Sequence, residues 1–109
     1  MKKKKSKAKD YQEYLIESLK DPTEAVEYLN ASLEEAADMP ELFLLALRNV
    51  AEAHGISRLA KKTRLNREYL YTMLSKSGNP RYESLMKLLN AMGIRLAFEL
   101  GNQKKASGW

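Results

Sequence analysis

An all-α chain of five to six helices, with a helix-turn-helix and one short C-terminal strand, is predicted by three observations. Apolar residues recur at three- and four-residue intervals through most of the 109 positions, the period of helices with one buried face. Between Gly55 and Met92 (GISRLAKKTRLNREYLYTMLSKSGNPRYESLMKLLNAM), two short periodic segments meet at a tight turn and a loop then leads to a third. That is the layout of a helix-turn-helix followed by a supporting helix. From Ile94 the period drops to two: Ile94, Leu96, Phe98 and Leu100 alternate with Arg95, Ala97 and Glu99, as in a strand with one apolar face.

In chain order, residues 1–9 (MKKKKSKAK) form a basic tail with little to bury. It is expected to be disordered, either as a solubilising arm or as a tether along nucleic-acid phosphates. A single helical domain is expected over residues 10–100. Asp10–Leu19 sets Tyr11, Tyr14, Leu15 and Leu19 along one side. Asp21-Pro22-Thr23-Glu24 restarts a helix, with a capping aspartate, proline in the first helical position and glutamate three residues after the cap. Ala25, Val26, Leu29, Leu33 and Ala36 form its apolar stripe. After Asp38-Met39-Pro40, the segment Glu41–Ala53 carries Leu42, Phe43, Leu45, Ala46, Leu47 and Val50. That face is too wide for a surface helix, so the segment is placed centrally, with Gly55 ending it. The next helix starts at Ser57 as cap, with Leu59 and Ala60 inward and Thr63 near its end. The turn falls at Arg64 and Leu65. Asn66 then caps a second helix with Leu70, Met73 and Leu74 on its buried side. Ser77-Gly78-Asn79-Pro80 is a loop. Tyr82–Met92 turns Leu85, Leu88, Leu89 and Met92 inward. A lone strand at 94–100 has no partner elsewhere in the sequence. It must pair with its copy in a second subunit or with a partner protein, and the simpler expectation is a homodimer joined through Ile94, Leu96, Phe98 and Leu100. Residues 101–109 are expected to be a loose tail.

Charge is strongly segregated. Residues 1–9 hold six lysines and no acid. Residues 10–54 hold eleven acids against Lys20 and Arg48, a net −9. Residues 55–109 hold eleven bases against Glu68, Glu83 and Glu99, a net +8. The basic half coincides with the helix-turn-helix, as a phosphate-binding surface requires. Catalysis is not expected. Glu34, Glu35, Asp38 and Glu41 lie on a solvated acidic face, His54 stands alone at a helix end, and no glycine-rich phosphate loop occurs. With no cysteine and one histidine, neither a metal site nor a cofactor is expected, and a reducing cytoplasmic location fits. No apolar run is long enough to span a membrane.

The second helix of a helix-turn-helix sends its amino end into the major groove of double-stranded DNA. Arg67, first after the cap, has a guanidinium fork matched to both acceptors of a guanine edge. Glu68 accepts from a cytosine amino group or orients Arg67 or a nearby lysine, and Thr72 lies one turn on, within reach of a thymine methyl or a phosphate. Tyr69 and Tyr71 remain open, one for DNA and one for packing between helices; Tyr69 is assigned to bases and Tyr71 to phosphate. Ser57, Lys61, Lys62 and Arg64 approach phosphates from the first helix and turn, and Lys76, Asn79 and Arg81 from the following loop.

The same residues carry a family resemblance. LAKKTRLNREYLY resembles the helix-turn-helix of phage-repressor-type regulators. NREYLYTMLSKSGNPRYESLMKLLNAMGIRL, with DPTEAVEYLNASLEE and PELFLLALRNVAEAHG upstream, is similar to the antidote proteins of bacterial addiction modules, over roughly residues 11–100. One departure is Arg64, at a turn position usually held by glycine. A left-handed backbone there costs a non-glycine residue about 1 kcal/mol or more, so either the turn is reshaped or the cost is absorbed. The resemblance implies an antitoxin that represses its own operon and neutralises a small basic toxin, often a ribonuclease. The acids Glu24, Glu27, Glu34 and Glu35 are then the expected toxin surface, a −9 half being suited to attract a cationic partner. The alternatives are a prophage or operon regulator without a toxin, and a protein-interaction module whose helix-turn-helix no longer binds DNA.

Overall fold

The computed structural model describes residues 7–35 and 38–101. Among them are six α-helices: α1 (Lys7–Ser18), α2 (Pro22–Glu35), α3 (Pro40–His54), α4 (Ile56–Thr63), α5 (Arg67–Met73) and α6 (Tyr82–Ala91). Helix α1 takes in the last three residues of the expected basic tail. The rest of that tail, Ala36 and residues 102–109 lie outside the described residues.

Helix α3 is the centre. It packs against α1, α2 and α4, and α4 in turn packs against α5 and α6. Leu47, Val50 and Ala51 on α3 are fully buried, in one core with Leu59, Leu70, Leu74 and Leu88. Its apolar face is buried on several sides, except at Leu45, which was expected inward but is 52% exposed while Leu44 takes the core position.

Local chemistry sets most boundaries. Asp21 starts α2: its carboxylate accepts from the Thr23 N–H at 3.2 Å and its carbonyl from the Ala25 N–H at 2.9 Å. Gly55, at φ 107°, ends α3 by donating to the carbonyls of Ala51 and Glu52. A side chain disfavours that backbone, whereas glycine reverses the chain there with no spare residue. Because Gly55 breaks α3 and its own carbonyl accepts from Leu59, α4 begins at Ile56. Ser57 is therefore not the cap that its position suggested; it lies inside the first turn, exposed. The buried Ile56 draws the start one residue earlier. In the loop after α5, Gly78 passes so close to the backbone of Met73 that an added Cβ would sit 2.4 Å from its carbonyl oxygen.

One buried polar residue ties the acidic helices together. Asn49 on α3 is 5% exposed. It accepts from Gln12 Nε2 of α1 and donates to the Tyr28 hydroxyl of α2, both at 2.9 Å. No described buried side-chain polar atom lacks a partner.

Three further expectations change. The segment 94–100 forms no strand among the described residues, because a strand exists only when its backbone is paired and the described residues supply no second one. Tyr11 and Tyr14 are 63% and 71% exposed: in this segment the core is met by Leu15 on α1 and by Leu19 just beyond its end. Val26 and Leu33 on the α2 stripe are also exposed, at 40% and 50%, since only Ala25 and Leu29 reach the core. No helix among the described residues is long and apolar enough to cross a membrane.

Candidate nucleic-acid interface

Helices α4 and α5 are joined by three residues, and the geometry of that turn aims α5. Arg64 adopts the left-handed conformation, φ 65° and ψ 23°, and its N–H donates to the Ala60 carbonyl at 2.9 Å. It is the one non-glycine residue with positive φ among those described. The turn is therefore not reshaped around arginine; it keeps the left-handed backbone between the buried Thr63 and the half-buried Leu65. The Thr63 hydroxyl assists by donating to the Leu59 carbonyl at 2.7 Å and accepting from the Leu65 N–H at 3.2 Å. Asn66 then opens α5, its side-chain oxygen accepting from the Tyr69 N–H at 2.7 Å. Such a cap satisfies one of the free amides at a helix start and holds the first turn rigid.

With Leu70, Met73 and Leu74 buried, helical spacing leaves Arg67, Glu68, Tyr71 and Thr72 on the opposite face. Arg67, Glu68 and Thr72 are exposed. Asn66, Arg67, Glu68 and Tyr71 line a single open depression at the amino end of α5. Tyr71 is half-buried beneath Arg48, whose guanidinium lies 5.2 Å from the ring centroid. That is within cation–π range. Arg48 also lies 3.5 Å from Glu52 on its own helix. Tyr69 points the other way: its hydroxyl is 3.1 Å from Ser84 Oγ on α6. Of the four expected base readers, three share the exposed face and Tyr69 is committed to packing between helices.

The expected phosphate set divides similarly. Ser57, Lys61, Lys76, Asn79 and Arg81 are all exposed. Lys62 and Arg64 border a different depression, shared with Lys87 and Asn90 of α6, and Lys62 Nζ donates to the Ala91 carbonyl at 3.0 Å. No carboxylate lines that depression. Arg48, Lys87 and Asn90 were not singled out in the sequence. Only packing brings α3 and α6 beside this surface, so no local motif marks them.

His54 lies near Arg58 and Lys62. Partial burial, then the positive charges of Arg58 and Lys62, lower its pKa from 6.5, against a hydrogen bond with the Met92 backbone that raises it. The neighbourhood is already cationic, which disfavours a further positive charge on the imidazole.

The remaining candidates lie elsewhere. Glu24, Glu27, Glu34 and Glu35 are exposed on α2, and their spacing gathers them on one side of the helix. Ile94 is half-buried, whereas Leu96, Phe98 and Leu100 are 44%, 94% and 76% exposed. The segment borders an apolar depression with Val26, Leu33 and Phe43. Among the described residues, no group of three His, Asp or Glu side chains is placed to hold a metal ion.

Comparison with known proteins adds three findings. Residues 8–100 match a family described as "Probable addiction module antidote protein". An uncharacterized protein of Haemophilus influenzae is 40% identical over 68 residues, covering 62% of this chain and 68% of that protein. No solved structure matches.

Proposed function

The chain belongs to the addiction module antidote family, and from that premise we propose that it is an antitoxin that binds double-stranded operator DNA as a homodimer and represses its own operon. In this reading α4 and α5 form a phage-repressor-like helix-turn-helix. The observation that carries it is the amino end of α5, where Arg67 and Glu68 stand exposed directly after the Asn66 cap. They belong to a half of the chain with eleven bases and three acids.

Arg67 takes the two acceptors of a guanine, Glu68 accepts from a cytosine amino group or steadies Arg67, and Thr72 meets a thymine methyl. Tyr71, fixed under Arg48, donates to a phosphate, as do Ser57, Lys61, Lys76, Asn79 and Arg81. Lys62 and Arg64 extend the positive field. Tyr69 leaves the base-reading set and acts as a spacer between α5 and α6. Two copies on a two-fold axis bring two α5 helices to half-sites about 34–36 Å apart. The second partner is a small basic toxin of ribonuclease type, held by the acidic face of α2, and both events are placed in the bacterial cytoplasm.

The test is a titration of the protein against its own upstream DNA and a scrambled duplex at two salt concentrations. Selective binding that survives the higher salt is expected. Equal binding that disappears with salt would leave only lysines on phosphates and sink the repressor reading. Arg67→Ala is expected to cost about 1–3 kcal/mol on the native duplex and relax base preference at one position.

A further inference from the structure

The segment 94–100 leaves the body with Leu96, Phe98 and Leu100 exposed and no ladder partner among the described residues. Beside it on α2, Val26 and Leu33 are also exposed and border the same apolar depression. The segment itself lines this depression, through Arg95, Ala97 and Glu99 as well as Ile94, Leu96 and Phe98, so one surface of one chain offers both an unpaired backbone edge and apolar side chains, the condition for a self-complementary two-fold contact.

The register follows from the residues. In an antiparallel pair, residues directly opposite share a face. Apolar side chains therefore meet apolar ones only when the two opposed residue numbers have the same parity. Three two-fold registers with that property keep the segment largely paired, centred on Leu96, Ala97 or Phe98. Centring on Leu96 sets Arg95 opposite Ala97, and centring on Phe98 sets Ala97 opposite Glu99 and Arg95 opposite Gly101. Only centring on Ala97 pairs all seven residues with one another. Ile94 then faces Leu100, Leu96 faces Phe98, and on the other face Arg95 faces Glu99 twice, once on each side of the axis. Both charged side chains are exposed, and among the described residues neither makes an ion pair.

We infer that a second copy of this chain occupies this face, its residues 94–100 pairing antiparallel with those of the first about a two-fold axis at Ala97, with reciprocal Arg95–Glu99 contacts fixing the register. Resting on the homodimer reading above, this specifies which backbone edge, which register and which charges hold the dimer. The even-numbered side chains of both copies close over Val26 and Leu33 of α2.

The chain contains no cysteine, so single thiols report the register. Opposite Cα atoms of an antiparallel pair lie about 4.5–5.5 Å apart, within disulfide reach. Ala97→Cys is expected to form a covalent dimer under mild oxidation. Arg95→Cys mixed with Glu99→Cys is expected to cross-link far more than either alone. Arg95→Glu and Glu99→Arg are each expected to weaken dimerisation by about tenfold in ultracentrifugation, and mixing the two is expected to restore it as a heterodimer. Cross-linking of Arg95→Cys alone, or single charge variants that dimerise like the parent without preferring each other, overturns the register. A parent chain that is monomeric, or that pairs this edge only with added toxin, overturns the second copy as occupant. A cross-linked dimer that fails to prefer its operator supports this pairing and sinks the repressor reading instead, so the two failures are separable.

Discussion

Arg64 shows how a single residue departs from its expected type without changing the turn. The position takes the left-handed conformation that glycine adopts without strain. The bond from its own N–H to the Ala60 carbonyl and the two bonds of the Thr63 hydroxyl fix the chain on either side of it. Arg64→Gly is therefore expected to be more stable than Arg64→Ala by about 0.5–1 kcal/mol, the relieved strain less the greater entropy of an unfolded glycine. Both variants lose the charge, so both are expected to lower the salt dependence of DNA binding alike. Equal melting temperatures for the two would mean the turn stores no strain. His54 acts through its proton. Its pKa in the fold lies below 6.5, chiefly through burial and then Arg58 and Lys62. Between the folded value and 6.5, the unfolded chain binds more protons than the folded one. Stability is thus full above pH 6.5, declines as the pH falls through that value, and levels off below the folded pKa. His54→Gln is expected to flatten the dependence of the urea midpoint from about pH 7.5 to about 5.5. An unchanged slope would assign it to other groups.

At the scale of elements, a polar joint organises the acidic half. Asn49 links α1, α2 and α3 through Gln12 and Tyr28, where an apolar residue would let the helices slide. Replacing it by leucine removes both bonds and leaves the half-buried Tyr28 hydroxyl without its donor. A loss of about 1–3 kcal/mol is expected in denaturant unfolding. An undiminished midpoint would show the joint to be energetically idle. The start of α5 is the second such device, where the Asn66 cap and the Thr63 bonds orient the Arg67 face before any ligand arrives.

The whole molecule is electrically divided, with the acidic helices α1–α3 on one side of the sequence and the basic α4–α6 on the other. In the proposed reading the two halves serve two partners. Reversing Glu24, Glu27, Glu34 and Glu35 to lysine is expected to slow toxin association and abolish its salt dependence, because steering scales with the surface field. DNA selectivity should persist in the same variant. Toxin binding unchanged in rate and salt dependence would remove α2 as the toxin surface.

Much was legible from local chemistry alone. Asp21, Gly55 and Asn66 mark helix boundaries through hydrogen bonds that span a few residues. The apolar periods of α5 and α6 name their buried leucines, and the breadth of the α3 stripe places it at the centre, although within that stripe Leu44 is buried and the expected Leu45 is not. Charge segregation needs only counting. What the chain alone could not reveal is which of two equivalent faces finds a neighbour. Tyr69 and Tyr71 are indistinguishable by type and nearly by position. One meets Ser84 on α6 and the other Arg48 on α3, contacts that close 15 and 23 residues of chain. Tyr11 and Tyr14 read as core but stay outside, since α1 is covered on one side only. The alternation at 94–100 was visible, yet no strand forms among the described residues, because a backbone ladder belongs to two segments and never to one. Periodicity and capping are properties of short stretches, so the sequence determines them by itself. Burial of a particular side chain depends on what distant segment arrives to cover it, and only the tertiary structure decides that.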